Sequence, residues 1–380
     1  MKTTAVLGQP SWEIASSTVR AWVTRRGGQM APVAFRLGGR EVEPYAVAPW
    51  AEEKPTAGLP PMLQVLRGDF FCAPFGGNGT PFRGEIHPPH GESANAPWMF
   101  RSLESAAGSH TLHLSMATTT RPGVVDKFVR VRDGHEAVYV RHVLTGMTGP
   151  MNPGHHPMLR FPGADGSGLV STSPVLIARV APLPIEDPAA GGYQSLEPGA
   201  MFTRLDRVPL RCGGMADLSR YPARRGFEDI VMLVHESRAD FAWSAVVLPD
   251  EGYVWYALKD PRVLRSTIFW LSNGGRHYAP WNGRHTGVLG VEDVTAYFHY
   301  GLAESARPNP LSRAGYPTAL KLSPRQPLTV NHIQGVAAVP RGCGRVKSIV
   351  PEAGGIRINA AGCAPIRVAL DTGFLYQHTT

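Results

Sequence analysis

The sequence predicts an all-β protein, a large antiparallel β-sandwich with few short helices, and three observations predict it. Apolar and polar residues alternate with period two in segment after segment. Turn residues punctuate these segments: 42 Gly and 35 Pro are spread over 380 residues with no collagen-like period. Amphipathic helical patterns are scarce. Short helical turns are expected only in ADLSRYPARRG near 216 and GLAESARP near 301, where Pro222 and Pro308 keep both from growing.

The elements follow in order. In STVRAWVTRRGGQMAPVAFRLGG, Val19, Ala21 and Val23 share one face, Gly27-Gly28 breaks the run, and Val33, Phe35 and Leu37 resume it as a second strand. In DKFVRVRDGHEAVYVRHVLTGM, Val129 and Val131 alternate with Phe128, Arg130 and Arg132. Asp133-Gly134 then turns the chain, and Val138, Val140, His142 and Leu144 line one face of the return strand, a hairpin signature. The Pro- and Gly-rich span 181–201 suits a surface excursion between strands. Beyond it, FEDIVMLVHES, FAWSAVVLPDEGYVWYALKD and LRSTIFWLSN are rich in β-branched and aromatic residues, and the last segment, from Lys321 to Asn359, alternates again. With no internal repeat and no separating linker, residues 1–380 are expected to form a single domain.

Apolar residues make up 43% and charged residues 18%, a globular balance. The net charge of +8 is scattered in single Lys and Arg, not gathered into a stripe, so nucleic acid is not an expected partner. Cys72, Cys212, Cys343 and Cys363 form no CxxC pair and are expected to be buried thiols in a reducing compartment. No secretory h-region and no apolar run of spanning length is visible, so a cytoplasmic protein without membrane contact, monomeric or homodimeric, is expected.

Three clusters carry candidate chemistry. HPPHGESAN holds His87, His90, Glu92 and Asn95; Pro88-Pro89 favours an extended backbone, so the imidazoles do not converge as they do at i, i+4 on a helix, and a stiff turn competes with a functional site. NPGHHPMLRFP holds His155 and His156, which a strand points to opposite faces, and Pro157 suits a strand edge or cleft mouth. A core histidine bonded to a backbone carbonyl is the competing reading there. In GVLGVEDV, Glu292 and Asp293 follow an apolar run and lie on opposite faces. A partly buried Glu292 with raised pKa suits general-base work; a salt-bridged or exposed turn is the competing reading, and it fits Asp293 better than Glu292. The Gly-rich PFGGNGTPFRG lacks phosphate-loop spacing, and no GxSxG elbow occurs.

Taken together and in order, WEIASSTVRAWVTRRGGQMAPVAFR, HGESANAPW, GHHPMLRFP and GVLGVEDV resemble the galactose mutarotase-like superfamily, the aldose 1-epimerases and their relatives, over most of residues 10–300. The resemblance implies the family's β-supersandwich, a small carbohydrate as partner, and no cofactor or metal. It implies His156 as general acid at the ring oxygen and Glu292 as general base at the anomeric hydroxyl. It also implies His90 as a sugar-binding residue, with Asn95 and Trp281 nearby and Arg83 or Arg160 as the sugar-gripping arginine. Trp98 and Tyr297 are further candidate platforms, although an aromatic in a β-rich protein is most often core. Where the family has H-x-H-G-G, this chain has Pro88 two residues before His90 and Glu92 in place of the second glycine, and its mid-chain aspartate has no assigned counterpart. The expected function is acid/base interconversion of the anomers of a hexose or modified sugar. Two alternatives stand beside it: a non-catalytic carbohydrate-binding or regulatory protein of the same fold, and a metal-dependent isomerase or lyase using His87, His90, His156 and Glu292.

Overall fold

The computed structural model describes residues 1–54 and 57–377. Two large antiparallel sheets face one another. One has nine strands and is centred on Tyr253–Lys259, Leu328–Ala338, Ala137–Thr145 and Gly123–Arg132. The other has eight, and its middle is built from Phe227–His235, Ser266–Asn273 and Val288–Val294. A five-stranded sheet precedes them, and a three-stranded one, Val346–Glu352, Gly355–Ala360 and Ile366–Ala369, follows. The expected hairpins are present: Val19–Thr24 pairs with Met30–Leu37, and Gly123–Arg132 pairs with Ala137–Thr145 around Gly134, whose φ is +76°.

The strand period assigns the faces of the second sheet. Val231, Leu233, Phe269, Leu271, Leu289 and Val291 pack inward against Val129, Val140, Trp255 and Val336 of the first sheet. Residues of opposite parity, Ile230, Met232, Ile268, Trp270 and Val288, belong to a separate apolar cluster on the outer face, together with Trp50, Met62, Phe70 and Trp281. That outer face holds the candidate site.

Two expectations need correction. The stretch near 216 forms no helix; Met215–Ala216 and Arg220–Tyr221 are two-residue strands, because tertiary pairing overrides weak local preference. By contrast, Leu302–Ala306 is helical as expected. The four cysteines are not all buried thiols. Cys343 and Cys363 form a disulfide, since Gly344 and Ala361 pair across the base of the C-terminal sheet and bring their Cα atoms to 5.4 Å. Cys212 is exposed, which leaves Cys72 as the buried free thiol. No helix is long and apolar enough to cross a membrane among the described residues.

Candidate active site

Pro157 interrupts one segment into Gly154–His155 and Met158–Arg160, yet both halves pair with Val288–Val294 in one continuous register. Gly154 faces Val294 and Met158 faces Gly290, so the intervening His156 falls opposite Glu292. Cross-strand partners share a face. His156 Nε2 accordingly lies 3.2 Å from Glu292 Oε1, with both side chains almost fully buried. Gly290 makes room for this pair: a Cβ there meets Glu292 Oε1 at 2.7 Å.

Their chain neighbours face the other way. Asp293 accepts from Lys259 Nζ (2.6 Å) and Thr267 Oγ1 (2.7 Å) and pairs with His332 Nε2 (2.8 Å). His155 Nδ1 meets Asp69 Oδ2 at 2.9 Å, and the other Asp69 oxygen accepts the His156 backbone N–H at 2.9 Å. This buried network fixes both strands from behind. Asp69, His155 and His332 bring possible metal-ligating atoms within 4.8 Å of one another; Asp293, Gln334 and mutual hydrogen bonds engage Asp69, His332 and His155 Nδ1, and His155 Nε2 has no partner among the described residues.

A cavity of about 310 Å³ opens over the His156–Glu292 pair, and His90, His299, Arg276, Trp270 and Trp281 also line it. The route to His90 is strained. His90 adopts φ +60° and Gly91 φ +76°, and a Cβ on Gly91 meets the Ala73 carbonyl oxygen at 2.2 Å, so only glycine fits after the histidine. A short helix, Gly91–Asn95, starts there, where the prolines alone suggest only an extended turn. His90 Nδ1 accepts from the Gly76 N–H (3.5 Å) and faces Cys72 Sγ at 3.3 Å. Burial keeps the Cys72 thiol protonated by pushing its pKa well up. Nδ1 is therefore an acceptor, and the ring proton sits on Nε2.

Aromatic rings form one wall. Trp270 and Trp281 meet edge-on at 5.9 Å, and Glu228 accepts the Trp270 indole N–H at 2.9 Å. The Arg276 guanidinium sits 4.6 Å from the Trp281 ring centre and 5.4 Å from that of Trp270. Its Nε donates to Glu186 at 2.7 Å.

Burial governs the protonation states. It lowers the His156 imidazole to about 4 and pushes the Glu292 carboxyl well above the usual carboxylate range, with Arg276 pulling the latter back in part. It also lowers His299 to about 4, helped by Arg276, and raises Glu228 to about 7 against the opposing field of Arg276. Burial opposes the charge of Arg276 itself, but Glu228 and Glu186 outweigh it and keep the guanidinium cationic.

No known family's sequence profile matches the chain, and no curated protein matches it in sequence. Solved structures do. A candidate aldose 1-epimerase from Klebsiella pneumoniae superimposes with a TM-score of 0.58 at 13% identity, covering 87% of this chain and 80% of that one. A galactose mutarotase related enzyme from Lactobacillus acidophilus gives 0.54 at 12% identity, covering 87% and 98%. A galactose mutarotase-like protein from Clostridium acetobutylicum gives 0.55 at 11%, covering 89% and 98%. The chain has the galactose mutarotase-like fold.

On this mutarotase-like frame, the cavity gathers His90, His156, Glu292 and Trp281 of the residues singled out in sequence, and leaves the others outside. Arg83 is exposed and stacks on Phe82 at 5.2 Å; Arg160 is exposed and donates to the Glu43 carbonyl. Asn95 is structural, bonding Pro89 O, Gly91 O and Met62 N. His87 turns to Glu85, at 2.9 Å, and so does not join His90 and His156. Glu92 accepts the Thr119 and Thr120 amides and stays out of the cavity. Trp98 is in the inter-sheet core, and Tyr297 packs at the edge of the outer cluster. The cavity's arginine is Arg276, from the turn after the Ser266–Asn273 strand. Its sequence signal was modest: an arginine directly behind Asn-Gly-Gly at a strand end, five residues before Trp281.

Proposed function

We propose that the protein is an enzyme of the aldose 1-epimerase type, interconverting the anomers of a hexose or modified sugar by acid/base ring opening. The observation that carries this reading is the 3.2 Å approach of His156 to Glu292 within an aromatic-walled cavity of about 310 Å³. That volume lies at the lower end of small-ligand pockets, which suits one pyranose. Ring opening removes a proton from the anomeric hydroxyl and adds one to the ring oxygen, and closure reverses both, so a pair holding one proton suffices.

Burial favours that proton on Glu292 beside an uncharged His156. Its transfer to His156 creates the working form, carboxylate base and imidazolium acid, and the field of Arg276 on Glu292 favours the step. Trp270 and Trp281 offer a platform for the apolar face of the sugar. Because Glu92 is tied up at Thr119 and Thr120, it leaves the cavity open to a ligand. The test is anomer exchange followed by NMR. His156→Ala and Glu292→Gln should each slow exchange by ~10²–10⁴-fold, and variants as fast as wild type on a sugar that wild type turns over refute the assignment.

A further inference from the structure

The cavity is rich in hydrogen-bond donors and poor in acceptors. Arg276 uses its Nε on Glu186, and neither of its Nη groups forms a hydrogen bond among the described residues. His90, with Nδ1 accepting from Gly76 and facing the Cys72 thiol, presents Nε2–H as a second donor. The Tyr278 hydroxyl gives its proton to Glu186 at 3.1 Å and keeps only its oxygen, as an acceptor. Against these donors, Glu292 supplies the one side-chain carboxyl among the described lining residues, the neutral His299 ring adds one donor and one acceptor, and much of the remaining wall is apolar, including Met62, Leu66 and Ile230. A neutral hexose brings several hydroxyl donors that need acceptors, and this lining leaves them short. A ligand bearing an acceptor-only group fits the inventory better.

We propose that the substrate is a carboxylate-bearing pyranose of the hexuronate class, its carboxylate received on the free Nη edge of Arg276. The planar fork of a guanidinium matches a carboxylate through two parallel hydrogen bonds. Arg276 is the one full cation among the described residues lining the cavity, and Glu186 and Glu228 already oppose its charge, so a phosphate dianion is disfavoured more than a monoanion. Geometry is consistent, because a hexuronate carboxylate stands next to the ring oxygen, and Arg276 and His156, the grip and the proposed ring-oxygen acid, both flank Trp270, at 5.4 Å and 5.8 Å from its ring centre. The inference rests on the epimerase reading of the same cavity.

The experiment compares anomer exchange of glucuronate and galacturonate with that of glucose, galactose and glucose 6-phosphate by NMR. About tenfold or higher kcat/KM for a hexuronate over its neutral counterpart is expected from one charge-assisted bidentate contact. Arg276→Lys, which keeps the charge and loses the fork, should erase most of that preference. Equal or faster exchange of the neutral hexoses or the phosphate overturns the proposal, as does an Arg276→Lys variant with its preference intact. Hexuronate binding to Glu292→Gln, measured by ligand-observed NMR with and without Arg276→Lys, separates the two readings. Arg276-dependent binding without exchange of any sugar by wild type counts against the acid/base pair alone. No hexuronate binding counts against the carboxylate grip.

Discussion

Glu292 and Asp293 are adjacent, acidic and buried, yet the strand sends them to opposite faces, so conservative amide substitutions should separate catalysis from stability. Asp293→Asn removes the counter-charge of Lys259, whose amino group is buried and lies 2.6 Å from the carboxylate, and weakens the bond to His332. Removing one partner of a buried ion pair costs roughly 3–5 kcal/mol, because the other charge stays desolvated. An unfolding entropy of about 2.1 cal/mol/K per residue gives about 0.8 kcal/mol/K for this chain, so Tm should fall by about 4–6 °C. Glu292→Gln should do the opposite. The raised pKa of Glu292 means that the folded state binds its proton more tightly than the unfolded state does, so this group's contribution falls as pH rises from the unfolded toward the folded pKa. An uncharged isostere avoids that loss, and Tm should stay within about 1 °C of wild type or rise. Calorimetry reads both variants, with anomer exchange measured on the same samples. A Glu292→Gln protein destabilised as much as Asp293→Asn refutes the assignment of faces and protonation.

Other expectations follow from the same geometry. Burial lowers His235 and His285 to about 3, so the stability they confer is present above the ordinary histidine pKa and is lost as the pH falls from about 6.5 toward 3, by about 1.4 kcal/mol per pH unit for each; denaturant titrations across that range that show no decline contradict it. Anomer exchange should fall below pH about 4, as His156 takes up a second proton, and fall again on the alkaline side once Glu292 loses the shared one; a pH–rate profile without an acid limb argues against His156. Arg83→Ala and Arg160→Ala should leave sugar binding and stability within about 0.5 kcal/mol of wild type, since both side chains are exposed and outside the cavity. Gly91→Ala should destabilise the protein and weaken sugar binding together, because its φ of +76° and the Ala73 carbonyl leave no place for a Cβ; wild-type affinity and Tm in that variant contradict the account of the turn.

Much of the frame was legible because period-two alternation is a local signal. The hairpins around Gly27-Gly28 and Asp133-Gly134, and the opposite facing of His155 and His156 and of Glu292 and Asp293, follow from strand geometry alone. What stayed hidden depends on contacts distant in sequence. Arg276 was missed because the arginine that shares a cavity with His156 comes from a turn 120 residues later, while Arg83 and Arg160 were only neighbours along the chain. Glu186 was hidden in a span expected to be a surface excursion, yet its side chain is buried against Arg276. The Cys343–Cys363 bridge was invisible to spacing rules, since a three-stranded sheet sets the approach of the two cysteines. The Asn95 side chain resembled a ligand contact in sequence because nothing local marks a cap on the loop's own carbonyls.

In the proposed reaction His156 and Glu292 share one proton to open and close a sugar ring. Its most direct measurement is NMR saturation transfer between the α and β anomers of one hexuronate, for wild type and Glu292→Gln at equal concentration and matched Tm. Enzyme-dependent transfer should be present in wild type and lost in the variant. Equal transfer in both contradicts the proposed reaction.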